Sequence, residues 1–238
     1  MMTTLLAIDT AADICSVAIS RGDTLRHRAS PGVRKHAADV LPIIQSLLDD
    51  TNVTLADIDA IVMVSGPGSF TGLRIGSAVA QGLSFGADIP VIRISSLMML
   101  ARAAFLASSH NPGTECVFYT CMHAREDEYY FAVYLDDGIS LPSVLVPDQI
   151  GDAASILDSL ASGNNASRRI FCAGSGWLQP ALRNTTQEVA APVRFTDVAG
   201  NAITLCDLGK YALAAGQIDT AEQALPVYLK EDMSYRKS

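Results

Sequence analysis

Four histidines serve 238 residues. His27, His36, His110 and His123 form no i, i+4 pair on one helix, and none has a cysteine at ligand spacing. A metal site, and with it a metallopeptidase, is therefore not expected. Cysteine offers no framework either: Cys15, Cys116, Cys121, Cys172 and Cys206 are odd in number, lack a CxxC pair and sit inside apolar runs. They read as buried, reduced thiols. Positive charge is short, with 17 Lys and Arg against 25 Asp and Glu and a net charge of -8, so the chain is not expected to grip a phosphate backbone alone. No stretch holds the roughly 18 uncharged apolar residues of a membrane span. The start has no basic segment, and Asp9 interrupts its apolar run, so a signal peptide is not expected and the reading is a soluble cytoplasmic protein.

What the chain does have is apolar bulk, 49% hydrophobic against 18% charged residues. That is the balance of a well-packed globular protein, as one large domain or two modest lobes. Its most informative stretch is VSGPGSFTGLRIGSAVAQGLSFG, residues 64–86. A β-branched run at 60–64 meets a Gly-Pro-Gly turn, and a helix-length segment follows. Gly66 and Gly68 open backbone angles closed to other residues, Pro67 limits the loop, and Ser69 or Thr71 can cap the helix. Such a loop is either an anion site, since free N–H groups and the helix dipole favour negative charge, or a turn shaped for packing.

Gly72, Gly76 and Ala80 recur every four residues along one stripe of this helix. Interior glycine costs roughly 1 kcal/mol against Ala, so the stripe and Gly82 ask for a compensating close approach, such as another helix. On that reading Gly76→Arg abolishes pairing and leaves the fold intact. A Walker A loop is excluded because Leu73 and Arg74 follow Gly72 where Lys and Ser or Thr are required. The dinucleotide fingerprint fails at Thr71 and lacks its acidic residue after the next strand. GPGSF is not the G-x-S-x-G elbow, and no His and Asp pair with Ser69.

Strands are expected at 4–8, 14–20 and 24–29, joined around Asp9. Apolar spacing at 36–50 predicts an amphipathic helix bent at Pro42. A strand at 91–94, a helix at 96–107, strands at 116–122 and 128–135, a helix at 147–161, a strand at 170–173 and a helix at 201–218 complete the reading. Residues 108–114 form a turn-rich break, giving an N-terminal lobe, 1–108, and a C-terminal lobe, 109–238, whose end after Leu229 is an exposed tail. Arg26, His27, Arg28, Arg34, Lys35 and His36 form the single basic cluster, either a site for an acidic partner or RNA or a solvated face.

GPGSFTGLRIG, the opening LLAIDTAADICSVAI, RKHAADVLPIIQSLL, ISSLMMLA and the late PVYL resemble, in order, the TsaB (YeaZ) family of tRNA threonylcarbamoyladenosine synthesis. The resemblance implies an α/β, actin-like (ASKHA, RNase H-related) fold of two lobes, each a mixed sheet flanked by helices. It implies a noncatalytic subunit that binds and activates TsaD, with TsaE as a further partner, tRNA reached through the complex, and a homodimer when the chain is alone. The interface it implies comprises His36, Val40, Leu41, Ile44 and Leu48 on the first helix and Gly72, Arg74, Ile75, Gly76, Val79 and Ala80 on the second. No cofactor of its own is implied, although ATP or ADP with Mg can sit at the joint surface. TsaD's HxxxH-type metal pair is missing here, and His123 stands where the family usually has Asp, ahead of Arg125, Glu128 and Tyr129. The alternative reading is an actin-like ATPase or sugar-kinase relative binding a nucleotide through Asp9, Thr10, Gly66, Gly68 and Ser69.

Overall fold

The computed structural model describes residues 2–32, 35–163, 168–183 and 193–229. Its first sheet comprises β1 (Thr4–Asp9), β2 (Ile14–Arg21), β3 (Thr24–Pro31), β4 (Ala60–Gly66) and β5 (Val91–Ser95), in the order β3-β2-β1-β4-β5. β1, β2 and β3 form an antiparallel meander, and β4 and β5 join parallel to β1. The second sheet comprises β6 (Cys116–Arg125), β7 (Glu128–Asp136), β8 (Ser143–Gly151), β9 (Arg169–Ala173) and β10 (Val193–Phe195), ordered β10-β9-β6-β7-β8. Strand for strand it repeats the first, with β6, β7 and β8 as the meander and β9 and β10 as the parallel additions. This duplicated mixed sheet is the actin-like, RNase H-related architecture.

Helices cover both faces, so the central strands are apolar on both sides. On one face of the first sheet, Leu6, Ile8, Ile19, Ile61 and Met63 pack under α1 (His36–Thr51) and α2 (Phe70–Ala87) through Val40, Ile44, Leu47 and Ala80. The other face, with Leu5, Ala7, Val62 and Ile92, is covered by Leu205, Leu208 and Ala212 of α6 (Ala202–Ala214). α3 (Ser96–Ala107) packs Leu97, Ala101 and Phe105 on Phe118, Ala132 and Tyr134 of the second sheet. On that sheet's far side lie α4 (Ala153–Ser162), the buried Trp177 and α5 (Pro180–Arg183).

Arg102, inside the apolar α3, is fully buried. Its guanidinium donates twice to Asp136 of β7, at 2.9 Å each, once to Asp207 of α6 at 2.5 Å, and to the Ser140 carbonyl. One side chain thus ties three elements of both halves.

Two sequence expectations are corrected. Residues 147–152, expected to open a helix at Pro147, belong to β8 and the turn after it, and α4 starts only at Ala153 behind the Asp152 cap. β8 is an edge strand, and its register with β7 slips between Val146 and Gln149, where Pro147 removes no ladder bond. The last helix stops at Ala214 instead of continuing to 218, and Asp219 pairs with Val91 at the edge of β5. Arg34 and the tail beyond Leu229 lie outside the described residues.

Candidate functional site

The glycine loop is closed by the turn after β1. Ser69 N–H donates to the Ala11 carbonyl at 2.8 Å, and a Cβ on Gly68 would come within 2.7 Å of the same oxygen. The Thr10 hydroxyl donates to the Gly72 carbonyl at 2.7 Å. A Cβ on Gly72 would strike the Thr10 carbonyl, and one on Gly76 would lie 2.6 Å from Thr10 Oγ1. Ser69 caps α2, its Oγ accepting Gly72 N–H at 3.2 Å and its carbonyl accepting Leu73 N–H at 2.8 Å. The N–H groups of Ser69, Gly72 and Leu73 are therefore satisfied within the chain, and carbonyl oxygens crowd the loop. A phosphate cradle needs the reverse, N–H groups free to point at the anion. Thr10, Gly68 and Ser69 thus meet in a closely packed turn beside Asp9 and Gly66.

A third segment completes the junction. Gly66 has φ of 125°, and a Cβ there would lie 2.8 Å from the Val227 carbonyl, while Val227 N–H donates to the Ser65 carbonyl at 2.7 Å. Ser77 Oγ donates to the Ala224 carbonyl. The Arg74 guanidinium lies 3.6 Å over the Phe70 ring, and its Nε donates to Tyr228 Oη at 3.1 Å. The sequence signals GPGSFTG and PVYL, far apart in the chain, are thus one structural unit.

Asp9 is 2% exposed and accepts Ala11 N–H at 2.9 Å. Burial pushes its carboxyl up to about 6, against the lowering effect of that N–H. It borders a cavity of about 260 Å³ between the halves, which is also lined by Ser96, Met99, Leu100, Met122, Asp197 and Gly200. A larger, more open hollow of about 470 Å³ holds Arg93, Ser95, Tyr134 and Asp148. There Ser95 accepts Leu97 N–H at 3.0 Å and Met98 N–H at 3.2 Å as the cap of α3, and donates, as Tyr134 does, to the Asp148 carboxylate. Burial raises both Asp148 and Tyr134 above their ordinary values. These bonds fasten β8 to the start of α3.

On α1 and α2 the eleven residues of the expected interface divide. His36, Val40, Ile44 and Leu48 are buried under α1, and Gly72, Gly76 and Ala80 under α2. Leu41 and Arg74 are exposed, and Ile75 and Val79 are half-buried. The Gly72, Gly76 and Ala80 stripe faces the chain's own interior, with Thr10 filling the space beside Gly72 and Gly76 and Ala80 packed in the core. Sequence reasoning passed over the opposite stripe. Ala78, Gly82, Phe85 and Gly86 are exposed, Phe85 to 80%, and among the described residues no atom beyond the helix's own backbone and the chain neighbours lies within 4 Å of a Cβ built on Gly82 or Gly86. The signal was present, since Ala78, Gly82 and Gly86 repeat at the same spacing of four.

Three members of the basic cluster have partners or burial within the chain. Arg28 pairs with Asp50, His27 Nε2 bonds Ser16 Oγ at 2.8 Å, and His36 is buried. Ser16 and His27 form no nucleophile and base, because Ser16 is 2% exposed and already accepts Ala202 N–H at 3.0 Å. At the tip between β6 and β7, His123 Nε2 lies 2.9 Å from the Glu126 carbonyl, and Arg125 Nε donates to Glu128 at 3.2 Å. His123 there serves the hairpin.

A family model described as TsaD: tRNA N6-adenosine threonylcarbamoyltransferase matches residues 24–199. The tRNA threonylcarbamoyladenosine biosynthesis protein TsaB of Escherichia coli (strain K12) is 32% identical over 240 residues, covering 98% of this chain and 97% of that protein. Its namesake in Haemophilus influenzae is 30% identical over 246 residues, covering 98% and 96%. Among solved structures, YeaZ from Pseudomonas aeruginosa superposes with a TM-score of 0.79 at 33% identity, covering 96% of this chain and all of that one.

Proposed function

Because the chain belongs to the TsaB (YeaZ) family, we propose that it is the noncatalytic subunit that binds and activates TsaD. The reaction served is transfer of threonylcarbamoyl from threonylcarbamoyl-adenylate to adenosine 37 of tRNAs reading ANN codons. The observation that carries the pairing is the outer face of α2. Gly82 sits exposed inside an 18-residue helix, and among the described residues nothing outside its own helix backbone lies within 4 Å of a Cβ built there. An interior glycine costs roughly 1 kcal/mol against Ala, and a partner helix laid along Ala78, Gly82 and Gly86 supplies the close packing that offsets it. Phe85 flanks this track as an apolar anchor, with Ile75, Val79 and, on α1, Leu41 extending it.

The contribution is scaffolding in the cytoplasm: the chain holds TsaD in its active arrangement and adds no reacting group. TsaE is a further partner, and tRNA is met through the complex, in keeping with the net charge of -8. The same face pairs two copies when TsaD is absent. Any ATP or ADP with Mg belongs to the joint surface or to the partners, in keeping with the N–H groups of Ser69, Gly72 and Leu73 being taken within the chain.

The test is size-exclusion chromatography with light scattering on this chain, on TsaD of the same cell, and on their mixture. A heterodimer mass is expected, lost in Gly82→Arg with an unchanged circular dichroism spectrum and a melting temperature no lower than that of the unaltered chain. Separate elution at high micromolar concentration, with nucleotide and TsaE present, would overturn the reading.

A further inference from the structure

The exposed face of α2 does not end with its small residues. Arg74 precedes Ala78, Gly82 and Gly86 at the same spacing of four, so it stands on their stripe toward the start of the helix. Its guanidinium carbon lies 3.6 Å from the centre of the Phe70 ring and 5.8 Å from that of Tyr228, and the two rings are 5.5 Å apart. Its Nε donates to Tyr228 Oη at 3.1 Å. The head group is thus held in place by stacking and by one hydrogen bond, although Phe70 and Tyr228 are 45% and 41% exposed and Arg74 is exposed with them. Much of the rotamer freedom that a partner would have to remove is already gone.

Among the described residues neither Nη group of Arg74 has a hydrogen bond or an ion pair. Two parallel N–H groups left open suit a carboxylate or a phosphate. The surrounding charge decides between them. α1, α2 and residues 218–229 contain no other Lys or Arg, while α1 and that segment carry Asp39, Asp49, Asp50, Asp219 and Glu222. A phosphate backbone is gripped by several cations, so a lone one among acids fits a single carboxylate. α2 itself has no Asp or Glu, so a second α2 laid on this stripe would bring Arg74 no counter-charge.

We propose that Arg74 is a specificity-determining residue of the pairing with TsaD, its guanidinium, held against Phe70 and Tyr228, receiving an Asp or Glu carboxylate of the partner helix. This contact depends on the pairing assigned above to α2. It adds what the partner must carry: an acid about 12 Å along the helix from whatever covers Gly82, eight residues at about 1.5 Å each. The pair with TsaD gains an ion pair that two identical copies lack.

The test is calorimetric titration of the full chain with TsaD of the same cell, beside analytical ultracentrifugation of the chain alone. Arg74→Ala, with an unchanged melting profile, should weaken the pair with TsaD at least tenfold and leave self-association within twofold. Arg74→Lys should recover little, since an ammonium has no fork. Raising sodium chloride from about 50 to 500 mM should weaken the unaltered pair more than the Arg74→Ala pair. Equal loss in both associations, full recovery by Lys, or unchanged TsaD affinity in a folded Arg74→Ala would each overturn the carboxylate contact and leave the pairing through α2 standing. Loss of tRNA binding by the complex with TsaD affinity unchanged would overturn it in favour of a phosphate. No association of the unaltered chain with TsaD would overturn the pairing and this contact together.

Discussion

Thr10 and Gly72, 62 residues apart, hold the end of β1 and the start of α2 together. The Thr10 hydroxyl bonds the Gly72 carbonyl, and the Thr10 carbonyl takes the place of the side chain that Gly72 lacks. Backbone faces backbone here, so neither side can give way.

From this contact, Gly72→Ala is expected to destabilise the chain by roughly 3 kcal/mol, the upper range for forcing a methyl into a packed site. Gly82→Ala, which meets nothing, should raise stability by about 1 kcal/mol through helix propensity. Urea unfolding of both variants checks the pair. Similar midpoints for the two would mean that the stripe at Gly72 is not packed as described.

Gly76→Arg follows the same logic and reverses the expectation from the sequence. Because Thr10 Oγ1 lies where the new side chain would start, this variant should unfold or aggregate instead of folding and failing to pair. Phe85→Asp is the surface counterpart. It should keep its melting temperature and weaken association with TsaD tenfold or more, as loss of a central aromatic anchor does at interfaces, read by calorimetric titration.

Arg102→Met should cost about 3–5 kcal/mol, since it strands the Asp136 carboxylate without its partner in a fully buried place. The double variant Arg102→Met, Asp136→Leu should recover much of that loss. Chemical denaturation of the single and double variants measures it.

Asp9 gives a pH dependence with a definite sign. Its carboxyl titrates near 6 when folded against 3.8 unfolded, so the native state holds a proton that the unfolded state releases. Its contribution is fully present below about 3.8 and is lost as pH rises through about 6. At neutral pH the ionised Asp9 therefore costs about 3 kcal/mol at most, at 1.4 kcal/mol per unit. Asp9→Asn should be more stable than the unaltered chain at pH 7.5, and the gap should close toward pH 4 in denaturant midpoints. A gap that does not change with pH would show that Asp9 is not buried as a carboxylate.

Much of the fold was legible because its signals are local. β1, β2, β4 and α3 follow from apolar runs bounded by turn residues and caps, and α3 was bounded to the residue. β8 was not legible, since Pro147 looks like a helix start unless the bulge beside it is known, although Asp152 and Ser155 carried the true cap. The site was legible only in part for a different reason. Spacing of four tells which residues of α2 share a stripe, yet it cannot tell which stripe turns inward. Gly72 with Gly76 and Gly82 with Gly86 look alike in sequence, and only the approach of Thr10 separates them. Arg102 was invisible for want of any local pattern, its partners being set by distant elements.

The covering of the first sheet by α6 bears on how this protein is made. Leu5, Ala7, Val62 and Ile92 wait for Leu205, Leu208 and Ala212, and the glycine loop waits for Val227. At 5–20 residues per second, about 100 residues separate the emergence of β5 from that of α6, so the nascent chain carries an uncovered apolar sheet face for roughly 5–20 seconds. The half synthesised first is thus the half finished last, and its exposure during synthesis is the moment at which a chaperone has most to protect.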